Sequence, residues 1–515
     1  MRQDDRWLVA GIWACTALMV CTVLFNALFG GVFYDTDHFS DSLFILGAAW
    51  RSHEGLTPAV DFGYFYGGVL EDGLALTMRL LGHAVFVFDY FTLLLALGLA
   101  VAVRLILGRA LSRAGLAAVI LLVTLLMLTR HPLEYDHAVS TVVSTHSFLY
   151  NRFGLAVVVI AGLHVALPSP GRNAEILGGV GVGLLVGLTA LVKPTFAILA
   201  PAVIAGLMLQ RRWGALGGAL AGMAGAILSL DPQLARWRGA LAYSMQQIGE
   251  DRAARLDYVA MKALRGFFVQ PLATFLTAIA IGSLLVRRGS VPAALGLLLV
   301  ALAGVGMTAT MGGHIGQVIL PITLMIALAA AEIAGQRGLE QRRPLRILAF
   351  CMVAALALPH AANLLAAAVE GNRKQGELLL TEGPYARYLS MPFRAKDPMP
   401  TSQYQMFADG VAELAAMGDA SQWGIIADQG ISFEYALLAR PVPGYPLWQR
   451  PTAPELAAGR PLGPEVDVVL LGRSGPAVSL RDVLLAKMGD DFLPCRTSRH
   501  WEIHVRRGRS IPGCG

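Results

Sequence analysis

Charge is scarce in this chain, and so is cysteine. Asp, Glu, Lys and Arg together make up 15% of 515 residues, while hydrophobic residues make up 55%. Soluble proteins carry roughly 25% charged residues, so this balance excludes an ordinary water-soluble enzyme. The five cysteines include no Cys-x-x-Cys pair, which excludes zinc ribbons and dithiol redox centres. No phosphate-cradling glycine loop, nucleophile elbow or zinc-protease helix is present, and an ATP-driven pump loses its main signature. No basic tract is interleaved with aromatics, so a nucleic-acid partner is not expected. No internal repeat is evident, which counts against transporters built from inverted repeats.

What is present is a series of apolar runs. Arg2 and Arg6 precede a run from Leu8 to Phe33. That run is far longer than the roughly 7–15 residues of a signal-peptide core, so it reads as an uncleaved anchor with the N-terminus in the cytoplasm. Further runs near spanning length lie at 87–107, 113–129, 148–167, 175–192, 195–210, 214–230, 268–286, 290–311, 314–335 and 345–369. Arginine clusters at 104–113, 172, 211–212, 287–288 and 337–346 fit cytoplasmic loops. The result is a polytopic α-helical membrane protein with about eleven crossings. The outer side receives 34–86, 130–147, Lys193-Pro194, 231–267, Gly312 to His314 and everything after about 370. The basic loop 231–267 is the exception to the charge rule. Residues 64–86 hold Glu71, Asp72 and Arg79 and read as a broken or re-entrant helix pair lining a cavity.

The most informative stretch is Tyr34 to Leu70. Asp35, Asp37 and Asp41 lie at the expected membrane edge, where carboxylates serve either as a solvated cap or as a functional cluster. Residues 39–54 read as an amphipathic helix in the interface plane, capped by Ser40 or Asp41, with Arg51, His53 and Glu54 at a polar end and Gly55 at its stop. Asp61, Tyr64 and Tyr66 follow in an aromatic-glycine cluster and, with Asp41, Glu71 and Asp72, are candidates to line a substrate cavity.

Three basic groups on the outer side suit an anion. Lys193 interrupts an apolar run just before Pro194, and either snorkels to headgroups or meets a phosphate. Arg152, at an outer helix end, likewise either snorkels or binds a phosphate, and His314, at another, is more simply a hydrogen-bonded structural group; both stand behind Lys193. The loop at 130–147 holds His131, Glu134, Asp136, His137 and His146, but their spacing matches no metal motif and a hydrated polar loop is the simpler reading.

After about residue 370 the composition becomes mixed. A helix from Thr401 or Ser402 to Met417, helical patterns at 431–439 and 479–488, and apolar strands at 424–427, 466–471 and 501–505 predict a small C-terminal α/β periplasmic or extracellular domain. The chain thus divides into a membrane module at 1–370, with an outer loop at 34–63, and a soluble domain at 371–515. Cys495 and Cys514 fall in that outer domain and are expected to pair.

The long first span, Tyr34-Asp-Thr-Asp37, the helix after it, Asp61-Phe-Gly-Tyr-Phe-Tyr-Gly and Gly187-Leu-Thr-Ala-Leu-Val-Lys-Pro-Thr together resemble the GT-C superfamily. These multi-spanning glycosyltransferases include the protein O-mannosyltransferases and lipid A aminoarabinose transferases. The resemblance covers the architecture of nearly the whole chain. It implies a polyprenyl-phosphate-linked sugar donor and an acidic base in the first outer loop, which falls on Asp35 or Asp37. It also admits a divalent metal, Mg or Mn, at Asp35 and Asp37, since members differ in their need for one. A carboxylate there would take the acceptor's proton in an inverting displacement, with Lys193 on the leaving phosphate. The acceptor would be a glycan, lipid or protein. Two other classes share the spans: a transporter or lipid flippase, which the Glu71-Asp72 segment suits, and a non-catalytic assembly partner.

Overall fold

The computed structural model describes residues 3–35, 39–129, 149–248, 291–309, 316–336, 342–390, 399–428, 431–445, 447, 461–473 and 481–514. Among these residues the chain is mostly helical. Six helices are long and apolar enough to cross a membrane: Arg6–Leu28, Val87–Leu107, Leu149–Ala166, Arg172–Val192, Trp213–Leu230 and Ile347–Arg373. Four shorter apolar helices accompany them, at Arg113–Leu128, Pro194–Leu209, Val291–Met307 and Pro321–Gln336. The apolar run at 268–286 lies outside the described residues, as does the 130–147 loop.

The helices Arg172–Val192 and Trp213–Leu230 pack backbone to backbone. A Cβ added at Gly179 or Gly183 would strike the carbonyls of Ala215 or Ala219, and one at Gly218 or Gly222 those of Ile176 or Val180. Small residues permit this approach where lipid gives no hydrophobic drive between helices. The pairing fixes the end of Arg172–Val192, where Lys193 follows. Pro194 then opens a 3-10 turn, Pro194–Ile198, because its ring supplies the helical φ but no N–H.

The first long helix, α1 (Gln3–Leu28), leads into a short strand, β1 (Phe33–Asp35). β1 pairs in parallel with β2 (Tyr388–Ser390), in the register Phe33 to Tyr388 and Asp35 to Ser390. Asp35, the first of the three acidic residues, therefore lies on a strand tied to the C-terminal part of the chain. Helix α2 (Phe39–His53) follows. Its start at Phe39 places Ser40 and Asp41 inside the first turn, so neither is the cap expected from sequence. Nor does α2 lie in an interface plane, since every residue from Ser42 to Ser52 is buried. Gly55, at φ +93°, ends the excursion in the left-handed region that glycine adopts without strain.

The burial of α2 has an electrostatic centre. Arg51, expected at an exposed polar end, is 3% exposed and donates from Nε to Glu434 at 2.7 Å and from Nη2 to its other oxygen at 2.7 Å. Its Nη1 reaches the Tyr445 carbonyl. Trp50 Nε1 donates to the Ala439 carbonyl at 2.8 Å. Arg51→Met is expected to destabilise the fold by ~3–5 kcal/mol, because it strands a buried carboxylate. Thermal melting of the two single variants and of Arg51→Met with Glu434→Leu checks this. The double variant should recover much of the loss; full additivity would contradict it.

Residues 64–86 do not form a helix pair. They give an extended turn and then one helix, α3 (Val69–Leu81), preceded by Gly68 at φ +84°. The segment 431–439 is not helical either. It runs as a turn with Leu438 at φ +49°, because Glu434 and the Ala439 carbonyl are drawn to Arg51 and Trp50.

Toward the C-terminus, a helix (Met399–Met417) precedes a four-stranded sheet. The strands are β3 (Ile425–Ala427), β4 (Val468–Gly472), β5 (Phe492–Thr497) and β6 (Trp501–Arg506), ordered β3-β4-β6-β5. The β3–β4 pair is parallel and the other two are antiparallel. Strands β4 and β6 bury Val468, Leu470, Trp501 and Ile503, which is the apolar signal the sequence carries. β5 was not expected; three of its six residues are polar or proline and only Phe492 is buried. A helix, Arg481–Met488, covers part of the 479–488 pattern. Cys495 and Cys514 are joined by a disulfide with Cα atoms 5.0 Å apart.

Candidate functional site

Two groups of side chains meet helix α2. The first surrounds Asp35. Its side chain is fully buried, and Oδ2 accepts hydrogen bonds from Ser42 Oγ at 3.1 Å and Tyr388 OH at 3.2 Å. β1 supplies the carboxylate, α2 one donor and β2 the other. Phe33 stacks on Tyr388 at 5.5 Å, and Phe39 packs against Tyr388, Tyr404 and Phe407. This aromatic packing holds the strand pair that orients Asp35.

The second group is built by the loop before α3. The Gly67 N–H donates to the Val192 carbonyl at 3.1 Å, and a Cβ on Gly67 would collide with the Leu191 carbonyl. Glycine is needed for that close approach, which brings Tyr64, Tyr66 and Glu71 to the end of the 172–192 helix. Tyr66 stacks on Tyr150 with centroids 3.9 Å apart. Lys193 Nζ stands 5.6 Å from the Tyr66 ring centre and 5.4 Å from that of Phe196, a bed of negative ring faces beneath a cation. Glu71 Oε1 accepts from Tyr64 OH at 2.5 Å and from Tyr150 OH, and the two hydroxyls lie 2.6 Å apart. Oε2 of Glu71 is buried without a hydrogen-bond partner among the described residues.

Helix α2 links the two groups: Ser42 donates to Asp35, and Phe44 packs edge-on against Tyr66 with ring centroids 6.2 Å apart. Burial first, then the charges of Asp41 and Glu71, raise the Tyr66 phenol. Burial lowers Lys193 to about 8. Burial also raises Glu71 to about 7, against the opposing pull of the Tyr150 and Tyr64 hydrogen bonds. A folded carboxyl that holds its proton more tightly than the unfolded chain loses stability as pH climbs between the two values. The native protein is therefore expected to melt at progressively lower temperature from pH 4.5 toward about 7 through this group. Glu71→Gln should flatten that part of the pH profile, and an unchanged slope would contradict the assignment.

The remaining sequence candidates are placed differently. Asp61 is exposed and accepts the Thr57 N–H at 2.6 Å. Asp72 pairs with Arg236, so one arginine of the basic 231–267 loop has a carboxylate partner. Arg152 is buried and donates to the Thr129 carbonyl. Asp37 and His314 lie outside the described residues. Among the described residues no three His, Cys, Asp or Glu side chains converge as a metal site. Sequence reasoning did not single out Ser42, Tyr150 or Tyr388. Tyr150, at the start of an apolar helix, is indistinguishable in one sequence from an interfacial aromatic anchor.

The fold is shared with a solved membrane protein. ArnT from Cupriavidus metallidurans, solved bound to undecaprenyl phosphate, matches with a TM-score of 0.51 and 12% identity over 97% of both chains. The archaeal oligosaccharyltransferase AglB from Archaeoglobus fulgidus is a looser likeness. In complex with an inhibitory peptide and a dolichol-phosphate it gives 0.41 at 10% identity, over 92% of this chain and 70% of that one. The apo Archaeoglobus fulgidus oligosaccharyltransferase gives 0.43 at 10%, over 90% and 69%. No protein-family model matches the sequence, and a search of curated proteins finds no relative.

Proposed function

We propose that this protein is a membrane glycosyltransferase that moves a sugar from a polyprenyl-phosphate-linked donor to a hydroxyl of a glycan, lipid or protein acceptor. One observation carries the reading. On a fold shared with ArnT, helix α2 touches both groups: Ser42 donates to the Asp35 carboxylate, and Phe44 packs against Tyr66 in the aromatic bed beneath Lys193. A base and a phosphate-neutralising cation are the two groups the reaction requires.

In this reading the acceptor oxygen attacks the anomeric carbon from the face opposite the phosphate. Its proton passes to Asp35 or Asp37, and the bond from anomeric carbon to phosphate oxygen breaks with its electron pair going to the phosphate. Lys193 holds the departing charge, so the phosphate leaves without protonation. Tyr388 and Ser42 keep the Asp35 carboxylate oriented. Glu71, bridged by Tyr64 and Tyr150, fixes Tyr66 under the lysine. Asp35 and Asp37 are also the residues that would take a divalent ion, Mg or Mn, supplying charge neutralisation; no step above depends on it.

The chemistry belongs at the outer face of the cytoplasmic membrane, with about eleven crossings and residues 371–515 as the outer domain. That placement rests on the arginine distribution. The stereochemistry supplies the test. Purified protein is incubated with a polyprenyl-phosphate sugar of known anomeric configuration, and the product anomer is read by proton NMR. Inversion is the expected result. Retention would overturn the single inverting displacement.

A further inference from the structure

The C-terminal end of α2 carries a pair of imidazoles that the proposed sugar transfer does not use. His53 is the last residue of α2, and His83 lies in the turn between α3 and the helix Val87–Leu107. Their Nε2 atoms stand 3.4 Å apart, with ring centroids 5.0 Å apart and ring planes at 87°. That spacing is longer than a good hydrogen bond from a ring N–H, roughly 2.7–3.2 Å. An end-to-end bond would separate the ring centres by the nitrogen spacing plus two ring radii, which exceeds the observed value. The two Nε2 axes are therefore inclined to one another, as two ligands of one ion must be. The spacing also suits an ion. A tetrahedral zinc with Zn–N near 2.0–2.1 Å holds two nitrogens roughly 3.4 Å apart. Right-angled ligands at the same bond length would sit only roughly 3.0 Å apart.

The surroundings hold both rings in place. Glu54 Oε1 lies 2.9 Å from His53 Nδ1. A proton on Nδ1, donated to that carboxylate, leaves the lone pair on Nε2, which is the arrangement that backs metal-bound imidazoles. Trp50 stacks on the His53 ring at 4.9 Å and meets His83 edge-on at 5.4 Å. Tyr435 OH donates to the His83 carbonyl at 2.6 Å, and Arg79 donates to the His53 carbonyl at 2.8 Å. The Arg79 guanidinium is thus turned toward backbone oxygen. Both histidines are half-buried, and 18% of the His53 side chain is open, so an ion can reach the pair.

We propose that His53 and His83 bind a divalent transition-metal ion of the zinc class, with Glu54 as the positioning carboxylate and water in the remaining positions. Imidazole suits zinc, copper and nickel, whereas magnesium and manganese prefer oxygen ligands. The site is therefore separate in place and in chemistry from an ion at Asp35 and Asp37. With two protein ligands it is open and exchangeable, unlike the four-ligand sites of structural zinc. A bound ion ties the end of α2 to the turn ahead of Val87–Leu107. It thereby braces the helix whose Ser42 donates to Asp35. The proposal stands independently of the transferase reading.

The test uses full-length protein in detergent, purified without a polyhistidine tag and stripped with EDTA. Zinc is added to the wild type, and diethyl pyrocarbonate modification is read at each histidine by mass spectrometry. Shielding of both His53 and His83 is expected, with none from magnesium. Zinc affinity is then compared by calorimetry in wild type, His53→Gln and His83→Gln. Each folded variant should lose a zinc site or bind there at least about tenfold more weakly, since even an outer-shell partner is worth roughly 10–100-fold. Glu54→Gln should weaken the same site by about tenfold, and an unchanged affinity would remove that carboxylate from it. The proposal is overturned if zinc leaves the two histidines as reactive as before, or if magnesium shields them equally. It is also overturned if folded His53→Gln and His83→Gln bind zinc as the wild type does.

Discussion

Asp35→Asn is expected to lower sugar transfer by ~10²–10⁴-fold in protein that folds normally, the range a positioned general base contributes. The substitution keeps the shape of the side chain and removes its ability to take a proton. Ser42 and Tyr388 can still donate to the amide oxygen, so the β1–β2 pair should survive. Initial rates of labelled-sugar transfer, with circular dichroism and gel filtration as folding checks, measure the effect. Asp37→Asn run beside it separates the two candidates. Wild-type rates in folded Asp35→Asn would remove this carboxylate from the chemistry.

Lys193→Met is expected to cost roughly 10²–10³-fold, by analogy with the loss of one oxyanion donor. The methionine fills similar space over Tyr66 and Phe196 but carries no charge for the departing phosphate. The position also sets a pH limit. Burial lowers Lys193 to about 8, so its ammonium is lost as pH rises through that value and activity should fall with it. Lys193→Arg keeps the charge at all these pH values and should extend activity to higher pH, even at a lower maximum rate. An alkaline limb identical in wild type and Lys193→Arg would show that another group sets it.

Part of the candidate site was legible in the sequence because local chemistry marks it. Three carboxylates after an apolar span, a lysine-proline break in another, and an aromatic-glycine run between them are costly near lipid and stand out for that reason. The spans themselves follow from hydropathy, since backbone polar groups in lipid must be satisfied within a helix. What could not be read is contact over long separations. Tyr388 meets Asp35 across 353 residues, through a parallel pair of strands only three residues long. Such strands are too short to show an alternating pattern. Helix α2 has an amphipathic pattern that suits a membrane surface equally well. Its burial depends on Glu434, a carboxylate 383 residues away that neutralises Arg51. The same pair turns 431–439 away from its helical propensity, a case of tertiary contact overriding a local preference.

Donor turnover tests the central claim most directly. Purified wild-type protein would be given a panel of polyprenyl-phosphate sugars, and free polyprenyl phosphate would be quantified with and without acceptor mixtures. Release from at least one donor, absent in Lys193→Met, is the result this account predicts. Failure to release polyprenyl phosphate from any donor, together with movement of labelled lipid across vesicle leaflets by the same preparation, would contradict it and make the protein a transporter on a glycosyltransferase fold.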